Sequence, residues 1–294
     1  MSPSRRSGRP PLPPRHTRVL PYVLSLAIAV SNVGLSQTEP TADTVTVRSG
    51  ELHLRAVLWR PGGAGPFPGI LVNHGRYRPG ETLVPDDPGP LGRLFAEHGY
   101  VALVLFRRGV GPSAEAGPSE GDLMAQAQAE GGQAGENRVQ LDLLEGEALN
   151  EAIAGLTYLR SLPIVKPARV GTVGHSFGGS LSILLAAHDS TISSVVVFGA
   201  AAGSWGPSPE LQQRLRGAVA RARADMFFIH AANDYSVAPG QALSVELERI
   251  GKPHRLKIYP SFGTTTKAGH NLLFRSPATW QDDVFDFLDG RLKR

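Results

Sequence analysis

Two hydrophobic rhythms run along this chain. Residues 44–48 alternate between polar and apolar side chains, and 52–58 largely do so, with Ser49-Gly50 between them. A period of two flanking a short turn predicts a β-hairpin. Further on, apolar residues gather in short, mostly continuous runs at 69–73, 100–106, 170–173, 192–198 and 226–230, with a mixed run at 255–259. Between these runs the spacing changes to that of helices. Leu91, Leu94 and Phe95 precede Gly99. Leu141, Leu144, Ala148, Ala152, Leu156 and Leu159 fall on one stripe that predicts a single long helix from about Asn137, stopped by Pro163. Further helices are predicted over 179–188 and 211–222, through Leu243, Leu247 and Ile250 up to Gly251, and through Trp280, Val284, Phe287 and Leu288. Glycine or proline just past the last periodic residue is a stop signal. Apolar strands alternating with helices predict an α/β fold, a mostly parallel twisted sheet with helices on both faces. Residues 44–294 read as one domain. Residues 114–136 are rich in Ala, Gln, Gly and Glu and have no sustained apolar face, so they read as a short flexible, lid-like insertion.

Composition changes this picture mainly at the N-terminus. The 294 residues carry a formal charge of +4. Residues 1–36 hold five arginines and no acid, so without them +4 becomes −1 for residues 37–294. The basic balance therefore belongs to the leader, and no basic stripe on the domain points to nucleic acid. A basic segment, the apolar run 19–35 and small residues near Ser36 read as a secretory signal, which predicts export to a periplasmic or extracellular compartment. A retained N-terminal membrane anchor is the alternative, and residues 37–43 form a linker. The chain has no cysteine, which excludes disulfides, zinc–thiolate sites and a thiol nucleophile.

The candidate chemistry centres on Gly174-His175-Ser176-Phe177-Gly178, between an apolar strand and a helix-compatible run. Gly-x-Ser-x-Gly in that context is the pattern of a nucleophile elbow. A serine hydroxyl needs a base within reach, and the base needs an orienting acid. Of nine histidines, His270, in a loop after the last strand, is the candidate base. His175 neighbours the serine and is expected to point elsewhere; His74 and His230 end strands and either face the site or shape loops. Among the acids between elbow and His270, only Asp234 follows a strand, where ligands bind in open α/β sheets. Asp225 precedes its strand and is the rival acid. The backbone N–H of Phe177, heading the helix, is a candidate oxyanion donor.

Ser176, Asp234 and His270 stand in the chain order of α/β-hydrolases. With His74-Gly75, Arg108-Gly109-x-Gly111-x-Ser113 and Gly269-His270, they give residues 44–292 a resemblance to that superfamily. Within it the chain is similar to dienelactone-hydrolase-like and prolyl-oligopeptidase-like single-domain serine esterases. Dienelactone hydrolases proper use a cysteine nucleophile, which this chain lacks, and prolyl oligopeptidases carry an N-terminal propeller that is missing here. The resemblance implies a second oxyanion N–H after His74-Gly75, from Arg76 or else Tyr77. Tyr77 and Arg108 are candidate substrate contacts; the bland reading pairs Arg76, Arg107 and Arg108 with loop acids such as Asp86 and Asp87. The expected activity is hydrolysis of a small-molecule carboxylic ester or thioester through an acyl-enzyme, with no metal or cofactor. A peptidase with the same triad and a non-catalytic secreted binding protein are the rivals.

Overall fold

The alternating segments pair first: β1 (Thr41–Ser49) and β2 (Leu52–Arg60) form an antiparallel hairpin from Thr41 opposite Arg60 to Ser49 opposite Leu52. In the computed structural model of this chain, residues 39–79, 81 and 87–294 are described, along with the single positions 1, 8 and 11. The expected signal or anchor over residues 1–36 and the acid Asp86 thus lie outside the described residues or touch them only at isolated points. No helix among the described residues is long and apolar enough to cross a membrane.

The apolar runs become β3 (Phe67–Asn73), β4 (Val101–Leu105), β5 (Val165–His175), β6 (Ser194–Phe198) and β7 (Asp225–Ala231), with β8 (His254–Tyr259) at the edge. The sheet order is β1-β2-β4-β3-β5-β6-β7-β8. β2 pairs antiparallel with β4, and every pairing from β4 to β8 is parallel. The runs are mostly apolar, without alternation, because both faces of each strand are covered. Leu71, Val195, Val197 and Phe228 point into one core; Ile70, Val72, Val196, Phe227 and Ile229 point into the other. The first core is closed by α2 (Glu120–Glu145), α3 (Glu147–Ser161), α4 (Phe177–His188), α5 (Pro209–Arg221) and α6 (Ala238–Arg249). The second is closed by α1 (Leu91–Glu97), α8 (Leu272–Arg275) and α9 (Pro277–Leu292), with Trp280 and Phe287 fully buried. The short helix α7 (Thr266–His270) follows β8.

Two expectations about the middle of the chain need correction. Residues 114–136 are not an irregular excursion: a 3-10 segment, Gly111–Ala116, leads into α2, which kinks at Gly131 and Gly132. Ser119 caps α2, accepting from Asp122 N–H at 3.1 Å, while the Asp122 carboxylate accepts from Ser119 N–H at 3.1 Å. Its apolar face is thin before Leu141, and polar bonds seat much of its surface: Glu120 on Arg107, Glu136 on Arg76, Asn137 on the Pro207 carbonyl and Gln140 on Ser204. The single long helix predicted from Asn137 is instead two, interrupted at Gly146, whose φ of −117° and ψ of −106° are non-helical.

Candidate active site

The elbow forms where β5 turns into α4. Ser176 has φ 54° and ψ −116°, a conformation that few side-chain-bearing residues adopt and that costs on the order of 1–3 kcal/mol. Its neighbours explain how the turn is tolerated. A methyl on Gly174 would strike the Gly178 carbonyl, and one on Gly178 would strike the carbonyls of Asn73 and His74. The elbow therefore needs both glycines to draw α4 against the end of β3. Ser176 N–H donates to the Phe198 carbonyl at 2.8 Å, and the Ser176 carbonyl accepts from Gly179 and Ser180 at 3.0 and 3.1 Å. The serine side chain is half-buried and faces a cleft of about 860 Å³.

Asp234 follows β7 and His270 ends α7, beyond β8. His270 was expected in a loop; Thr265 caps the turn instead, accepting from Ala268 N–H at 3.1 Å. Asn233 holds the preceding segment, its amide donating to the carbonyls of Phe262 and Thr265 at 3.0 Å each. His270 Nδ1 donates to Asp234 Oδ1 at 2.7 Å. Ser176 and His270 line the same cleft, although no hydrogen bond joins their side chains in this conformation. The segment at Gly199 bridges them: Phe198 holds Ser176 N–H, and a methyl on Gly199 would lie 3.0 Å from His270 Nδ1 and 3.1 Å from Asp234 Oδ2. The rival acid Asp225 sits at the opposite end of β7, paired with Arg291 at 2.8 Å.

Three further histidines belong to this region; the sequence leaves His74 and His230 open and points only His175 away. His230, at the end of β7, donates from Nδ1 to Asp234 Oδ2 at 2.8 Å, so one carboxylate serves two imidazoles. Its spacing, four residues before Asp234 at a strand end, was the available signal. His175 does not point away: its Nε2 donates to the His270 carbonyl at 2.9 Å and its ring lies 4.7 Å from that of His270. Burial first, then the nearby His270, pushes His175 down to about 3. His74 is fully buried, and desolvation, then Arg107, holds it well below the ordinary imidazole range.

Burial would raise the Asp234 carboxyl, but hydrogen bonds from His230 and then His270 outweigh it and hold it well below the usual carboxylate range. A depressed folded-state pKa contributes stability above the unfolded value and loses it as pH falls. Wild type should therefore exceed Asp234→Asn in unfolding free energy at pH 7, with the gap shrinking as pH drops below about 4. Urea unfolding from pH 7 to pH 2.5 measures it; a gap that widens toward acid contradicts the assignment.

The arginines part ways with their expected roles. Arg76 lines the cleft and pairs with Glu136 at 2.6 Å; Arg107 is buried against Glu120. Arg108 does not contact the cleft: it binds Glu151 at 2.5 Å and Glu147 at 3.0 Å, which removes it as a substrate contact. Their acids among the described residues come from α2 and α3, while Asp87 accepts from Gly89 N–H at 2.8 Å. Tyr77 does line the cleft, beside Gly75 and Arg76.

A serine elbow after the middle strand of this sheet, with an acid and a histidine after the last two strands, defines an α/β-hydrolase. The model of the dienelactone hydrolase family matches residues 54–278, and the chain belongs to that family of hydrolases. It is 25% identical over 234 residues to a polyketide transferase from a Penicillium species, covering 76% of this chain and 70% of that protein. In fold it is similar to dienelactone hydrolase from Anabaena variabilis, with 19% identity, a TM-score of 0.57, and coverage of 87% of this chain and 100% of that one. It is also similar to acylaminoacyl peptidase from Pyrococcus horikoshii, with 16% identity and a TM-score of 0.60, over 87% of this chain and 43% of that one.

Proposed function

We propose that the protein is a serine hydrolase that cleaves a small-molecule carboxylic ester or thioester through an acyl-enzyme. The observation that carries this reading is the strained Ser176 facing the same cleft as His270, whose Nδ1 is bonded to the buried Asp234. With Nδ1–H donated to the carboxylate, the proton-accepting atom of His270 is Nε2. Ser176 Oγ attacks the carbonyl carbon and its proton passes to Nε2. The negative charge that develops on the carbonyl oxygen meets N–H groups that need no reorganisation. Phe177 N–H, the first of α4, has no partner inside its own helix. Arg76 N–H has no hydrogen-bond partner among the described residues. Asp234 keeps the imidazole in the required tautomer and stabilises the imidazolium. His270 returns the proton to the leaving alkoxide or thiolate as the carbonyl re-forms. Water, deprotonated by the same imidazole, then releases the acid. Dienelactone hydrolases proper are expected to use cysteine as nucleophile, and on this reading Ser176 takes that place here.

Two rivals are separated by one set of assays. A peptidase must protonate a poor amine leaving group and hold an extended chain. A non-catalytic binding protein would not react at all. The expected result is turnover of p-nitrophenyl acyl esters with little or none of peptide p-nitroanilides, and covalent labelling of Ser176 by a fluorophosphonate. Preference for the anilides would favour a peptidase; absence of labelling would reject the serine-hydrolase reading.

A further inference from the structure

The buried pair of His74 and Arg107 surrounds the peptide that joins Gly75 to Arg76. His74 Nδ1 lies 2.6 Å from the Gly75 carbonyl oxygen. Arg107 N–H donates to His74 Nε2 at 3.1 Å, which leaves the ring proton on Nδ1 and makes that contact a donation to Gly75. Arg107 Nη2 donates to the carbonyls of His74 at 2.9 Å and Gly75 at 3.3 Å. The guanidinium is itself fixed by Glu120 at the start of α2 and by the Phe177 ring, 5.4 Å away. Arg107 has no exposed side-chain surface and cannot contact substrate.

In a trans peptide the C=O and N–H point in opposite directions, and the one cis bond among the described residues is elsewhere, at Gly65-Pro66. Two donors on the interior side grip the Gly75 oxygen. The Arg76 N–H of the same peptide is thereby turned the other way. A methyl on Gly75 would lie 3.3 Å from Ser176 Cβ, so this peptide is next to the nucleophile.

We propose that His74 and Arg107 are positioning residues that aim the Arg76 N–H at the oxyanion formed on a substrate held by Ser176. This choice of Arg76 over Tyr77 rests on the serine-hydrolase reading above. Through Glu120 the same clamp ties the first turn of α2, which walls the cleft, to the oxyanion loop. The Arg-Gly-x-Gly-x-Ser segment thus acts through the residue just before it. Ser113 Oγ pins that segment, donating to Phe106 O at 2.8 Å and accepting from Arg55 N–H at 2.8 Å.

The test is the rate at which a fluorophosphonate modifies Ser176, resolved into the maximal rate and the half-saturating concentration, in the full chain. Its phosphoryl oxygen occupies the oxyanion position whatever the natural substrate is. Arg107→Lys keeps the charge opposite Glu120 but lacks the planar fork. Arg107→Met with Glu120→Gln removes both buried charges together and avoids stranding one. The expected loss is ~10²-fold in the maximal rate for the double variant, less for Arg107→Lys. The half-saturating concentration should change little, and the pH dependence set by His270 should not move. A folded variant that labels at the wild-type rate overturns the clamp, as does a loss confined to half-saturation or a displaced acid limb. If the double variant does not fold, Arg107→Lys decides. Wild-type protein that is not labelled at Ser176 rejects the serine-hydrolase reading itself, a different result from equal labelling of wild type and variant.

Discussion

Replacing Ser176 with alanine should lower ester turnover by ~10⁴- to 10⁶-fold, the range expected when the nucleophile of a cooperating triad is removed. The fold should not change. Ser176 Oγ makes no hydrogen bond among the described residues, so no buried partner is left unsatisfied by its loss. Alanine keeps the same Cβ and therefore the same strain at φ 54°. The backbone bonds that hold the turn, to Phe198, Gly179 and Ser180, do not involve the side chain. A melting temperature within a degree or two of wild type, together with lost turnover of p-nitrophenyl acetate, is the expected pair of results. The combination matters, because unfolding would also abolish activity. A folded Ser176→Ala protein with near-wild-type turnover would end the serine-hydrolase reading and return the elbow to a glycine-rich turn with a bystander serine.

The strands of this protein are legible in its sequence because burial on both faces leaves no room for polar alternation. Residues 194–198 could scarcely be anything else, with Val195, Val196, Val197 and Phe198 shared between two cores. The first two-thirds of α2 are not legible for the opposite reason. Periodicity reports apolar packing, and up to Glu136 this helix puts only Met124 fully into the core, with Glu120 and Glu136 reaching across to other segments; the apolar stripe begins at its last two turns, with Leu141 and Leu144. Its one local signature was the cap, Ser119 with Asp122, which carries Asp where the usual pattern has Glu or Gln. The break at Gly146 was hidden because Leu144 and Ala148 continue the apolar stripe on either side of it.

The same divide runs through the site. Ser176, Asp234 and His270 could be named because each follows a parallel strand, and that position is readable one residue at a time. β3 and β5 lie side by side at the middle of the sheet, and the chain leaves them in opposite directions, to β4 and to β6. This is the crevice where such sheets place ligands. The supporting residues could not be named in the same way. Arg107 acquires its role only when β4 delivers it beneath the loop after β3 and α2 brings Glu120 to it. His175 was expected to turn away because a neighbouring residue on an extended strand does so, but at an elbow the chain reverses and its ring meets His270. A tertiary contact between segments far apart in sequence has no periodic signature, so these residues become visible only in the fold.

Removal of the acid should be severe, with a particular ranking. Asp234→Ala is expected to reduce turnover by roughly 10⁴-fold, because His270 loses the group that fixes its tautomer and stabilises its charge. Asp234→Asn should be milder, and the reason lies in the second imidazole. The Oδ1 position accepts two N–H groups, His270 Nδ1 at 2.7 Å and Tyr235 N–H at 2.7 Å. The Oδ2 position accepts one, His230 Nδ1 at 2.8 Å. An asparagine therefore keeps its oxygen at the Oδ1 position, where two donors require an acceptor. Its NH₂ turns to His230, and a neutral imidazole can move its proton to Nε2 and accept at Nδ1. His270 then keeps the proton on Nδ1 and the lone pair on Nε2. What Asn cannot supply is the negative charge. The expected order is wild type, then Asp234→Asn, then Asp234→Ala, with Asn at least ~10-fold above Ala, an interval of about 1.4 kcal/mol in barrier. Adding His230→Phe to Asp234→Asn removes the group that receives the amide and should erase that advantage. Asp225→Asn, at the other end of β7 beside Arg291, should leave turnover near wild type. If Asp225→Asn were the damaging change, Asp234 would not be the acid. If Asn and Ala were equally poor at position 234, the shared carboxylate would not govern the tautomer of His270.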